Sequence, residues 1–186
     1  MNIVALIVFG VTLMGIAVEG LSHPKRREQL DIPKGDWLTV SLGSLPALGV
    51  LAINLECWLR QPVEPNWFVI ASGSLLCAGS ILFRNWGKWT LGYYYTFSID
   101  LRENHTVIER GPYRFIRHPL YLGSFLGVIG LPLLAHSWLG IFFLTIPTGM
   151  AYALRLYKED KFLLETLGEP YREYASRTAR LIPLVW

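Results

Sequence analysis

The chain is poor in charge: Asp, Glu, Lys and Arg make up 17% of its 186 residues, against 52% that are hydrophobic. Soluble domains carry about a quarter of their residues as charges, so this balance argues against a water-covered globule. Cysteine is scarce, with Cys57 and Cys77 alone. Both lie in apolar runs, they form no CxxC pair, and no cluster has metal-ligand spacing, which excludes a zinc module or a disulfide scaffold. They read as small buried hydrophobes. No GxSxG, HExxH, Walker or GxGxxG pattern occurs. The familiar soluble signatures for serine hydrolysis, zinc proteolysis and nucleotide binding are therefore missing. There are no internal repeats and no low-complexity tract.

Long apolar runs are what the chain has instead. They cover Ile3 to Leu21, Trp37 to Leu59, Trp67 to Phe83, Pro119 to Ala135 and Trp138 to Leu154. A transmembrane helix needs about 17–25 such residues. The first run has no basic stretch before it and no A-x-A site after it, so it reads as a retained helix rather than a signal peptide. The second is interrupted by Pro46 and carries Asn54 and Glu56 near its end. The third holds Gly73, Ser74, Ala78, Gly79 and Ser80, small residues that allow close helix contact in lipid. Seven tryptophans and nine tyrosines suit a chain with two water–lipid boundaries. The expected fold is all-α: a polytopic membrane protein with about five transmembrane helices and a cytosolic C-terminal helical region. Residues 1–83 would form three spans with a basic loop, and residues 84–186 a polar loop, a helical hairpin and amphipathic C-terminal helices.

Charge is distributed in step with these runs. Residues 84–186 hold twelve of the seventeen Lys and Arg residues. Lys25, Arg26, Arg27 and Lys34 crowd the 22–36 loop, while the 136–137 turn has no basic residue. The positive-inside rule then puts the N-terminus outside and the three basic segments in the cytoplasm. The partner implied is the lipid bilayer; nucleic acid is excluded, because the charges alternate with membrane-length apolar segments.

The last two runs are separated by His136 and Ser137 alone, which predicts a tight helical hairpin. Its entry, His118-Pro119-Leu120-Tyr121, and its exit, Arg155 to Asp160, must then be neighbours. Pro119 suits a first helical position. The N–H groups of Leu120, Tyr121 and Leu122 would be free there to bind an anion, with Arg117 adding charge. His118 and Tyr121 share a face, as do Arg155 and Glu159. An arginine and a carboxylate together would suit a zwitterionic ligand. The plainer alternatives are that Arg114 and Arg117 anchor the topology, that Arg155 and Glu159 form an ordinary ion pair, and that His105 is a solvated loop residue. His23 and His136 read as structural. Beyond the hairpin, 159–167 should be helical, Gly168 should stop that helix, and Pro170 should open another.

Two blocks carry a family likeness: "HTVIERGPYRFIRHPLYLG" and "RLYKEDKFLLETLGEPYREYASRTARLIP". They resemble the isoprenylcysteine carboxyl methyltransferase family of integral membrane enzymes, over residues 98–183. The resemblance implies methyl transfer from S-adenosylmethionine to a lipophilic or prenylated acceptor, with residues 84–186 as the catalytic region holding a cytosolic C-terminal helical cofactor pocket. It implies cofactor contacts at His105, Thr106, Val107, Ile108, Tyr113, His118, Pro119, Leu120, Tyr121 and Glu159, with Ser98 a weaker one. Arg155 stands where the family holds the substrate carboxylate. No metal is implied. Where the family often has paired glutamates, this chain has Glu159-Asp160, which leaves Asp160 without an assigned role. A phospholipid or thiol methyltransferase with the same donor is the alternative. Next comes an NADPH-dependent sterol or isoprenoid reductase, against which Leu120 and Ser124 depart from the RHPNYxG[DE] pattern.

Overall fold

The computed structural model describes residues 3–21, 37–60, 64–96, 99, 101 and 106–182. His105, Ser98 and the basic 22–36 loop lie outside the described residues. All regular elements are helical: α1 Ile3–Leu21, α2 Trp37–Leu59, α3 Trp67–Leu91, α4 Pro119–Ala135, α5 Trp138–Gly140, α6 Ile146–Leu167 and α7 Glu169–Arg177. A π-helical segment, Ile141–Thr145, joins α5 to α6, so the chain runs helically from 138 to 167. By length and composition, the helical stretches Trp67–Tyr94 and Trp138–Leu167 are long and apolar enough to cross a membrane, while Ile3–Val18, Ser44–Leu59 and Pro119–Ala135 are shorter apolar helices.

The core lies where α1, α2, α3, α4 and the π-helical segment meet, around Val8, Ile53, Cys77, Leu134 and Leu144. Both cysteines are buried and neither forms a disulfide. Large apolar side chains also face outward, among them Leu51, Phe68, Leu75, Leu82, Phe142 and Met150. Large apolar side chains exposed in such number suit helices that face lipid.

Two boundaries differ from the sequence reading. Pro46 does not interrupt α2, which runs through it. Helix α3 continues past Phe83 to Leu91, because its polar residues find partners without leaving the helix. The Arg84 guanidinium donates to the Ser124 hydroxyl of α4, and Asn85 Nδ2 donates to the Ile81 carbonyl at 2.7 Å. Gly92, at φ 54°, then ends it, in a region that favours glycine.

Helices α3 and α4 form the most extensive contact in the fold. A Cβ on Gly73 would sit 2.4 Å from the Leu134 nitrogen and 2.8 Å from the Gly130 oxygen. Backbone approaches backbone there, and no flexible side chain is available to yield. Gly73→Ala is therefore expected to destabilise the fold by about 1–3 kcal/mol, the range for overpacking. The check is a lowered melting temperature in detergent; an unchanged one would remove the close-contact explanation.

The far end of the hairpin is pinned by α2. Glu56 accepts from the Ser137 hydroxyl and from the Leu139 N–H at 3.1 Å. Arg60 donates to the His136 carbonyl at 2.7 Å, and His136 takes a left-handed conformation. The turn thus closes in two residues, which fixes the relation between the hairpin's other, charged ends.

Candidate functional site

Helix α4 starts at Pro119, as its position predicts. The expected anion site at this helix start is not formed as foreseen. The Tyr121 and Leu122 N–H groups both donate to the His118 carbonyl, each at 3.1 Å, because the carbonyl of the N-cap residue accepts the first bonds of the helix. Arg117 also faces elsewhere. Its guanidinium donates to the Thr178 carbonyl at 2.7 Å and the Ala175 carbonyl at 2.5 Å. These carbonyls close the end of α7, a usual place for a cation.

The C-terminal segment is thereby laid against the hairpin entry. Residues 115–118 and 179–180 run in parallel, with a bridge between Ile116 and Ala179. The Arg117 N–H donates to the Ala179 carbonyl at 2.8 Å, and the His118 N–H to the Arg180 carbonyl at 3.2 Å. Tyr174 Oη donates to the Tyr113 carbonyl at 2.7 Å. Gly168, at φ 63°, makes the reversal between α6 and α7.

Entry and exit do meet. Arg155 Nε donates to Tyr121 Oη at 3.0 Å, and Tyr121 Oη donates to Glu159 Oε2 at 2.5 Å. Arg155 and Glu159 are thus joined through a hydroxyl rather than as a direct pair. Tyr121 also meets the His118 ring edge-on, with centroids 5.7 Å apart.

Above this relay lies a cleft enclosing about 830 Å³, its open mouth included. Val107, Ile108, Tyr113, His118, Leu120, Tyr121 and Glu159 line it. Pro119 is fully buried and Thr106 is exposed; neither lines the cleft. Arg155, which is buried, sits behind Tyr121. The cleft is lined by six tyrosines: Tyr94, Tyr95, Tyr113, Tyr121, Tyr171 and Tyr174. The Tyr113 hydroxyl is buried without a hydrogen-bond partner among the described residues. Burial, and after it the nearby Glu159 charge, raises the Tyr113 pKa well above the ordinary value. It therefore stays a neutral donor at physiological pH.

Asp160 is the residue whose importance sequence reasoning missed. Its Oδ1 accepts from Tyr171 Oη at 2.6 Å and meets His118 Nε2 at 3.1 Å. Its Oδ2 accepts from Arg180 Nε at 3.1 Å and pairs with Arg180 Nη2 at 2.9 Å. Arg117 Nε lies 3.6 Å away. Burial opposes ionisation of this carboxyl, but the hydrogen bonds from His118 and Tyr171, with the charge of His118 and Arg117, hold its pKa well below the ordinary 3.8. A depressed folded value means stability that is full above the unfolded pKa and lost as pH falls through the folded one. Amide protection of residues 169–182 is thus expected to hold from neutral pH down to about pH 4 and to fall only below it. Asp160→Asn should abolish that acid step; a step of the same size in the variant would assign it to another group.

Tyr171 and Tyr174 were visible only as part of the GEPYREY block; their three-residue spacing, which puts both on one helix face, was the available signal. Arg180 gave none.

A model described as phospholipid methyltransferase matches residues 68–170, more than half of the chain. Protein-S-isoprenylcysteine O-methyltransferase A of Arabidopsis thaliana is 26% identical over 140 residues, which is 74% of this chain and 71% of that protein. The Schizosaccharomyces pombe protein-S-isoprenylcysteine O-methyltransferase is 24% identical, over 82% of this chain and 68% of its own length. The cobalt-zinc-cadmium resistance protein CzcN of Cupriavidus metallidurans is 35% identical over 85 residues, a stretch covering 46% of this chain and 39% of that one. Among solved structures, the eukaryotic intramembrane Ras methyltransferase ICMT shares the fold, with a TM-score of 0.65 at 19% identity, over all of this chain and 69% of that one. The chain belongs to the phospholipid methyltransferase family and is an isoprenylcysteine-methyltransferase-like member of it.

Proposed function

We propose that the chain is an integral membrane enzyme that transfers a methyl group from S-adenosylmethionine to the carboxylate of an isoprenylcysteine-like acceptor. The observation that carries this is the Arg155–Tyr121–Glu159 relay at the wall of an aromatic cleft. The cleft suits the donor. Tyrosine rings attract an onium cation, the Glu159 carboxylate matches an ammonium or ribose hydroxyls, and the unpaired Tyr113 hydroxyl offers a buried hydrogen bond. Val107, Ile108 and Leu120 supply apolar wall, and His118 with Pro119 forms the rigid start of α4. His105 and Thr106 belong to the same proposed contact set.

The bound donor supplies an already electrophilic methyl group. A carboxylate acceptor is ionised at neutral pH, so the protein needs no general base and serves mainly to orient. Arg155 holds the acceptor carboxylate by its planar fork, and Glu159 holds the donor. In this reading all five apolar helices cross the bilayer, the N-terminus is outside, and the cleft faces the cytoplasm. The outward apolar side chains face lipid, and the acceptor's tail reaches the cleft from there.

The description of the matching family favours a second acceptor, a lipid amine. The reductase reading loses support, because Ser124, at the position of the reductases' acidic residue, is occupied by Arg84. The test is thermal stabilisation followed by labelled methyl transfer. S-adenosylmethionine or its demethylated product at a hundredfold its Kd should stabilise the protein by about 2.7 kcal/mol. NADPH should not; stabilisation by NADPH alone would overturn the reading. Label transferred to a prenylcysteine and not to phosphatidylethanolamine selects the carboxylate acceptor, and the opposite pattern selects the lipid amine.

A further inference from the structure

We infer that Asp160 is a positioning residue for the methyl donor, setting the orientation of His118 and clamping the 169–182 segment that walls the cleft. This rests on the donor reading just proposed. Asp160 is absent from the cleft lining, whereas three of its partners, Arg117, His118 and Tyr171, are part of it. It therefore acts through them.

Its partners come from three stretches of chain. Arg117 and His118 belong to the entry of α4, Tyr171 to α7, and Arg180 to the segment after α7. No other described carboxylate joins these stretches. The effect on His118 follows from hydrogen-bond logic. An ionised carboxylate only accepts, so His118 Nε2 carries a proton and donates it to Asp160 Oδ1, which fixes that edge of the ring. Nδ1 and the ring face are then held in one orientation beside Tyr121, whose ring it meets edge-on. Tyr171 is held by the same oxygen, Oδ1, and Tyr174 follows on the same face of α7, with its ring centroid 5.9 Å from that of Tyr171. One tyrosine of the cleft wall and its histidine are thus held directly by a carboxylate that does not itself line the cleft.

This separates the two adjacent acids. Glu159 points to Tyr121 and the cleft; Asp160 points to the tail. It also accounts for the shorter side chain: Asp160 already contacts four residues, with distances from 2.6 to 3.6 Å, and a longer acid would have to displace them.

The experiment compares Asp160→Asn, Asp160→Glu and Arg180→Gln with the full-length protein in detergent. Binding of S-adenosylhomocysteine is measured by calorimetry on folded protein, beside kcat at saturating donor and KM for a prenylcysteine acceptor. Asp160→Asn is expected to raise the donor Kd by about tenfold or more, the consequence of leaving buried partners unsatisfied, while kcat and the acceptor KM stay within about twofold. Asp160→Glu should recover part of the loss. Arg180→Gln, nearer the surface, should weaken donor binding by about threefold, and it decides the matter if Asp160→Asn does not fold. Variants that melt earlier yet bind the product as wild type does would overturn the inference and leave Asp160 a stability residue. A fall in kcat with donor binding intact would overturn it too. If the wild-type protein binds neither donor nor product, the parent reading fails, which these variants do not test.

Discussion

Glu159→Ala is expected to weaken binding of the methyl donor by about 10- to 100-fold. The carboxylate is the only acid among the described residues that line the cleft, and it accepts from Tyr121 Oη at 2.5 Å. The substitution removes a charged partner for the ligand and leaves the tyrosine hydroxyl without its acceptor. Hydrogen bonds to charged groups contribute about 1.5–3 kcal/mol, and each 1.4 kcal/mol is tenfold in Kd. Glu159→Gln separates the two losses, since the amide oxygen still accepts from Tyr121. Most of the affinity should stay lost in that variant if charge attracts the donor. Calorimetry with S-adenosylhomocysteine reads the effect, and wild-type affinity in the alanine variant would remove Glu159 from the donor site.

Arg155→Ala should act on turnover instead, lowering kcat by about a thousandfold, as removal of one charge-orienting donor does elsewhere. Donor affinity should change by no more than about threefold. Arg155→Lys should not restore the rate, because an ammonium lacks the planar fork that grips a carboxylate in two places. The geometry adds a qualification to this division of labour. Arg155 and Glu159 share the Tyr121 hydroxyl, so their effects should be non-additive. Replacing Tyr121 by phenylalanine should reduce that coupling in a double-mutant cycle. A collapse of donor affinity in Arg155→Ala, even with Tyr121 intact, would show that the arginine belongs to the donor site.

How much of the site could be read in advance depended on how local its causes were. The meeting of His118 with the 155–160 stretch followed from a two-residue turn between two apolar runs. The stop at Gly168 and the restart at Pro170 followed from backbone chemistry at those positions. The end of α3 was less legible. Arg84, Asn85 and Lys88 look like loop residues in sequence, yet all three lie within the helix. Arg84 stays there with its guanidinium donating to the Ser124 hydroxyl, forty positions later. The supposed anion site at the start of α4 went unformed because the His118 carbonyl, at the N-cap, takes the Tyr121 and Leu122 N–H groups in the first turn.

The apolar runs, their breaks and the order of charge thus dictated helices throughout the described residues, with charged groups gathered at one end of a hairpin. Hydrophobic length and proline and glycine geometry act over a few residues, so a linear pattern displays them. The division between Glu159 and Asp160 is of another kind. The two acids are adjacent and chemically alike, and on a helix they point about 100° apart. Which faces the cleft depends on Tyr121 from α4 on one side and on Tyr171 and Arg180 from the returning C-terminal segment on the other. Those contacts form only when distant stretches pack together, and only the tertiary structure could assign one acid to the cleft and the other to the wall around it.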